Sequence, residues 1–216
     1  MDLRRYRKII VFGGSFDPPH RAHVELPERV RRQVGGDVVA YIPAGRAPHK
    51  LHKEQTPAGH RLAMLRLAIE DADHAIVLSH EIERARTGRP SYTVETLAWL
   101  REQVHPEATL RLLIGADQVR IFDQWYEAER VEELAEPLVV VRPPDTAESL
   151  LATLAEGQER EKWRGRLVEV PAVDVSSTEL RRRLAEGEPV AGMIPREVLR
   201  YIREHGLYRG EEVSGG

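Results

Sequence analysis

The chain contains no cysteine. Disulfides, thiolate nucleophiles and thiolate metal sites are therefore excluded together. The absence fits a reducing compartment. No apolar run reaches the length of a signal-peptide core or a membrane span. Neither sign of charge dominates: 32 Lys and Arg face 35 Asp and Glu, a net charge of −3. That balance argues against a basic nucleic-acid surface and against an acidic tail. Internal repeats and long linkers are also lacking. The expectation is a cytoplasmic protein with neither a membrane nor a nucleic-acid partner; its oligomeric state stays open, a homo-oligomer included.

What is present is ordinary globular material. Of 216 residues, 41% are hydrophobic and 31% charged. The length fills one α/β domain and is too short for two large ones. Residues 1–209 are expected to form that domain, and residues 210–216 a frayed, disordered tail. Short β-rich runs at 9–12, 38–42, 75–78, 109–114, 138–141 and 167–170 alternate with helical patterns, clearest at 20–34, 58–70 and 93–103. Strands separated by helices predict a doubly wound parallel sheet with helices on both faces. The polar stretch 145–165 reads as a surface crossover helix. In such a sheet, ligands bind at the loops that follow the strands.

The first of these loops reads Gly13-Gly14-Ser15-Phe16-Asp17-Pro18-Pro19-His20-Arg21-Ala22-His23. Its glycines let backbone approach a ligand closely. The helix that follows offers free N–H groups and a partial positive charge to phosphate. His20 and His23 stand three apart, on one face of the first turn. They suit phosphate oxygens; no third ligand of convincing spacing makes them a metal pair. A plain turn bearing two surface histidines is the alternative. Pro27, inside the helix, cannot donate to the carbonyl of His23 and predicts a kink.

Further along, Arg46, His49 and Lys50 make the loop after the second strand cationic, which suits an anion or simply solvent. Thr93, after Ser91-Tyr92, is placed to cap a helix or to border a ligand. Gly115 ends the fourth strand, and Asp117 beyond it can accept hydrogen bonds from a nucleotide or cap a helix. Trp125-Tyr126 offers either core packing or a stacking face for an electron-poor ring. In Val175-Ser176-Ser177-Thr178-Glu179-Leu180-Arg181, Ser176 and Glu179 have capping-box spacing. The same helix start offers hydroxyls, N–H groups and Arg181 to phosphate.

The Gly-Gly-Ser-Phe-Asp-Pro-x-His segment with its His-x-x-His resembles the signature of a nucleotidyltransferase superfamily with a Rossmann-like fold. It is closest to the branch of nicotinate and nicotinamide mononucleotide adenylyltransferases. Val175 to Arg181 resembles that superfamily's second motif. Pro43-x-x-x-x-Pro48-His49-Lys50, Ser91-Tyr92-Thr93, Gly115-x-Asp117 and Trp125 resemble segments of the bacterial nicotinate branch, and the likeness runs from Ile9 to about Tyr208. Ala22 departs from the glycine usual there.

The resemblance implies transfer of AMP from ATP to nicotinic acid mononucleotide, with Mg²⁺ accompanying ATP, in NAD biosynthesis. It implies that His20, His23 and Arg181 are catalytic. ATP would contact Gly13, Gly14, Ser15, Phe16, His20, His23, Gly115, Asp117, Ser177, Thr178 and Arg181. The mononucleotide would contact Ser15, Phe16, Lys50, Thr93, Trp125 and Tyr126. No metal-ligating residues are implied, and Trp99 and Trp163 are left as structural.

Overall fold

The computed structural model describes residues 2–45, 55–88, 91–141, 145–154 and 157–210. Six strands form one parallel sheet: β1 (Lys8–Gly14), β2 (Val38–Pro43), β3 (Ala75–Val77), β4 (Thr109–Gly115), β5 (Glu136–Val141) and β6 (Leu167–Glu169). Their spatial order is β3-β2-β1-β4-β5-β6. The chain leaves β1 for β2 on one side and later returns to place β4 on the other. The carboxyl ends of β1 and β4 therefore flank a crevice where the winding reverses.

Alternate strand residues face opposite sides, and both sides are apolar because both are covered. Ile9, Val11, Val38, Ala40, Leu110, Leu112 and Val139 meet helices α4 (Thr93–Gln103) and α6 (Ala128–Leu134) on one face. Ile10, Val39, Tyr41, Leu113 and Val140 meet α1 (Arg21–Gln33) and α2 (Ala58–Ala68) on the other. A third cluster packs Met64 of α2 against Leu180 of α9 (Ser177–Ala185) and against Val198 and Ile202 of α10 (Arg196–Glu204). It carries the last helix back toward the carboxyl edge of the sheet.

Several expectations are refined. The helix α1 runs through Pro27 without interruption. The carbonyl that Pro27 cannot serve accepts instead from the Tyr41 hydroxyl of β2, at 3.0 Å from His23 O. The stretch expected as one crossover helix is two short ones, α7 (Ala147–Ala152) and α8 (Gln158–Arg164). Nor is it only surface: Trp163 is 1% exposed, edge-on to Phe122 at 5.3 Å. Two brief helices of the described chain, α3 (His80–Ala85) and α5 (Ala116–Val119), were not expected.

Candidate active site

The loop after β1 is shaped by Phe16. Its backbone is left-handed, with φ of 50°, and its ring folds back under Gly14. A Cβ on Gly14 would stand 3.0 Å from that ring, so only glycine fits without displacing it. The ring is 1% exposed, set among Phe12, His23 and Tyr41 at centroid distances of 5.6, 5.0 and 6.0 Å. Phe16 therefore offers a ligand its backbone, not its ring. The turn ends in a cis Asp17–Pro18 peptide and leads into α1.

His20 is the N-cap of α1, in extended conformation, and His23 lies in the first turn. Their rings stack at 3.7 Å with 20° between planes. His20 is buried, at 4% exposure, and His23 half-buried. The backbone N–H of His20 donates to His23 Nδ1 at 3.3 Å. An imidazole that accepts at Nδ1 carries its proton on Nε2. His23 is thereby held in the tautomer that donates, beside a helix N-terminus already suited to anions.

The second motif docks on the first. In α9, the Ser177 hydroxyl donates to Pro18 O at 2.9 Å and Arg181 Nη1 to Asp17 O at 2.6 Å. Thus the helix start of 176–179 lies against the turn that introduces His20. Ser176 caps α9 by accepting from Glu179 N–H at 3.2 Å. The reciprocal half of the expected capping box is not formed. Glu179 turns instead to Arg182 and Arg183, at 2.8 and 2.7 Å. Those hydrogen bonds, Arg182 first, hold its carboxyl down to about 2.

Sequence reasoning missed three side chains that hold this turn. Arg61 of α2 is 2% exposed. It donates to Ser15 O at 2.8 Å and Thr56 O at 3.0 Å. Burial of the guanidinium lowers its pKa, and the Asp17 charge opposes that. Asp17 itself is 5% exposed, accepting from the Tyr208 hydroxyl at 2.6 Å and from Thr56 N–H at 3.2 Å. The signal available for Arg61 was a cation one turn before Met64 and Leu65, on the apolar side of α2. For Tyr208, remote in sequence, there was none.

Across the crevice, β4 ends at Gly115, which caps α5. A Cβ there would stand 2.5 Å from Asp117 Oδ1, so glycine makes room for this protein's own carboxylate. Asp117 is exposed inside α5, not its cap, and accepts from Gln118 Nε2 at 2.6 Å. Likewise Tyr92, not Thr93, is the N-cap of α4. Tyr92 and Tyr126 rings meet at 4.7 Å, and Tyr126 is 56% exposed. Beside them Trp125 lies half-buried over Phe122 at 5.1 Å. Phe122 rests in turn on Trp163, so the 145–165 stretch backs this aromatic wall. Trp99 stacks on His80 at 3.9 Å. Lys50, with Arg46 and His49, lies outside the described residues.

Among the described residues, no cluster of three or more His, Asp or Glu could hold a metal ion. No described helix is long and apolar enough to cross a membrane. A groove of about 260 Å³ runs along α1 between Arg21, Glu25, Arg29 and Asp174. Its arginines are paired with Glu25 at 2.7 and 3.1 Å, which leaves the strand-end crevice as the better candidate.

Comparison with known proteins agrees with this geometry. The cytidylyltransferase-like family matches residues 11–183. A protein of Roseiflexus sp. (strain RS-1) named "Probable nicotinate-nucleotide adenylyltransferase" is 42% identical, over 92% of this chain and 96% of its own. One of the same name from Bacillus pumilus is 36% identical, over 94% and 98%. The solved nicotinic acid mononucleotide adenylyltransferase of Plasmodium falciparum, complexed with NaAD, shares the fold with a TM-score of 0.70 at 20% identity, over 94% and 98% of the two chains. The chain belongs to the nicotinate-nucleotide adenylyltransferase family, within the cytidylyltransferase-like proteins.

Proposed function

We propose that this protein transfers the AMP moiety of ATP to nicotinic acid mononucleotide, releasing pyrophosphate and forming nicotinic acid adenine dinucleotide in NAD biosynthesis. The observation that carries the reading is the docking of the two phosphate motifs on one turn, Ser177 on Pro18 O and Arg181 on Asp17 O. With the family membership, it gathers the donors on the anion-binding side of the switch point. Residues 1–209 act as one catalytic domain, and we place the enzyme in the cytoplasm.

The nucleophile is a phosphate oxygen of the mononucleotide. Its second pKa is about 6, so it is largely deprotonated at neutral pH and needs no base. It attacks the α-phosphorus of ATP as the bond to the bridging oxygen of pyrophosphate breaks. Catalysis then rests on position and charge. His23 Nε2–H and His20 contact the α- and β-phosphates. Ser177, Thr178, Arg181 and the start of α9 hold the leaving pyrophosphate. Arg181 reaches both Asp17 O and Thr178 Oγ1, so its fork is already oriented when ATP arrives. Backbone of Gly13, Gly14, Ser15 and Phe16 lines the phosphate path, and Gly115 and Asp117 serve the ATP side.

The mononucleotide lies toward Thr93, Trp125 and Tyr126, with its phosphate near Ser15 and Lys50. Trp125 and Tyr126 supply a flat face for the pyridine ring. Mg²⁺ is the expected companion of ATP. The residues at the turn are mainly donors, and the Asp17 carboxylate is occupied by Tyr208 and Thr56. That set fits an ion held by phosphate oxygens and water, which screens their charge.

The test is pyrophosphate release with ATP and Mg²⁺, offering nicotinic acid mononucleotide and nicotinamide mononucleotide in parallel. Preference for the acid supports the reading. Preference for the amide reassigns the substrate, and release with neither removes the activity.

A further inference from the structure

One half-buried acid lies between the two ends of the mononucleotide site and takes no part in the chemistry above. Glu81, in α3, accepts from Thr96 Oγ1 of α4 at 2.9 Å and from the backbone N–H of Gly45 at 3.4 Å. Thr96 is 4% exposed, one turn beyond Thr93. Gly45 follows Ala44, whose N–H donates to Gly14 O of the phosphate loop at 2.8 Å, and it immediately precedes the basic stretch that carries Lys50. The backbone of Gly45 is pressed onto α3 itself: a Cβ there would stand 2.1 Å from Glu81 O. A second tie, Arg84 to Glu95 at 2.7 Å, joins α3 to α4.

We infer that Glu81 is a positioning residue for the mononucleotide. Its two carboxylate oxygens fix the span between the phosphate end of the site, at Gly14 and Gly45, and the ring end, at Thr93 and Tyr126. The inference rests on the proposed reaction. Only an ionised carboxylate accepts at both ends. Glutamine in its place keeps one acceptor oxygen but loses the charge that strengthens the bond to Gly45 N–H and competes with Tyr92 O, at 3.3 Å, for the Thr96 hydroxyl. Burial raises the pKa of Glu81, against the Thr96 and Gly45 hydrogen bonds. The ATP donors Ser177 and Arg181 are engaged elsewhere, at Pro18 O and Asp17 O.

The experiment compares the full chain with E81Q, T96V and G45A. KM and kcat are measured against nicotinic acid mononucleotide at saturating ATP, and against ATP at saturating mononucleotide. Thermal melting is followed in parallel. Loss of a charge-assisted hydrogen bond predicts a rise of about tenfold in the mononucleotide KM for E81Q. G45A, which drives the loop off α3, raises it similarly, and T96V raises it less. The KM for ATP stays within about twofold, and melting of E81Q stays within a few degrees of the parent. An unchanged mononucleotide KM in E81Q and G45A overturns the inference. So does a joint rise of both KM values with a large drop in melting, which is the signature of packing alone. The parent is assayed first. If it fails to use the mononucleotide, the reaction itself is refuted before any variant is compared, and the inference falls with it.

Discussion

Replacing Tyr41 by phenylalanine tests how α1 tolerates its internal proline. Pro27 has no N–H, so the carbonyl of His23 lacks its helical partner. The Tyr41 hydroxyl fills that place at 3.0 Å. Tyr41 is 1% exposed, and burial pushes its phenol up from the ordinary value, so it remains a donor at every working pH. Phenylalanine keeps the ring and orphans the carbonyl, which costs about 1–2 kcal/mol. For a chain of this size that is a fall of roughly 2–8 °C in melting temperature. The decisive measurement is a cycle with P27A. Alanine restores an N–H four residues after His23, so Y41F should cost about 1 kcal/mol less in the P27A background. Equal costs in both backgrounds, read by thermal or denaturant unfolding, would refute the account. So would Y41F melting like the parent.

His23→Ala removes the donor proposed for phosphate and is expected to lower kcat by about 10²–10³ while melting normally; a folded variant with near-normal turnover would overturn its role. Tyr208→Phe releases one oxygen of the buried Asp17 carboxylate. Melting is expected to fall by a few degrees, at about 1–3 kcal/mol for the orphaned acceptor, and kcat to fall with it; unchanged melting would mean the contact holds nothing. Glu28 is held down to about 2 by its bonds to Arg31 first, then Arg32. A lowered carboxyl pKa stabilises above the ordinary value of 4.5, and that support is lost as pH falls toward 2. Glu28→Gln should therefore melt lower than the parent at pH 7, the gap narrowing below about pH 4.5 and closing below about pH 2. Parallel curves would refute the linkage.

The strands were legible because each carries β-branched or aliphatic residues on both faces, as a covered parallel sheet requires. Their edges differ from expectation by a residue or two, as at Glu136, where pairing with Arg111 extends β5 past the apolar run. The short helices α3 and α5 were not legible. Neither is long enough to show a period. The way α1 accommodates Pro27 was not legible, for a specific reason. Local rules see only its missing N–H, whereas Tyr41, from a strand, supplies the donor to His23 O.

The same division holds in the site. The residues proposed to meet phosphate were legible because they sit within two short segments, 13–23 and 175–181, whose local spacing already implies a helix start. The residues that hold those segments were not, because their partners are remote: Arg61 at Ser15 and Tyr208 at Asp17. This has a consequence for substitution. Asp17 reads in sequence as one more polar residue of a ligand loop, yet both its oxygens are taken by protein donors. Arg181 reads as a phosphate ligand, yet one arm of its guanidinium also braces the turn through Asp17 O. Lysine there would keep the charge but cannot reproduce the planar fork. Arg181→Lys should thus weaken ATP use and loosen the turn together, whereas a residue serving phosphate alone would affect only the former.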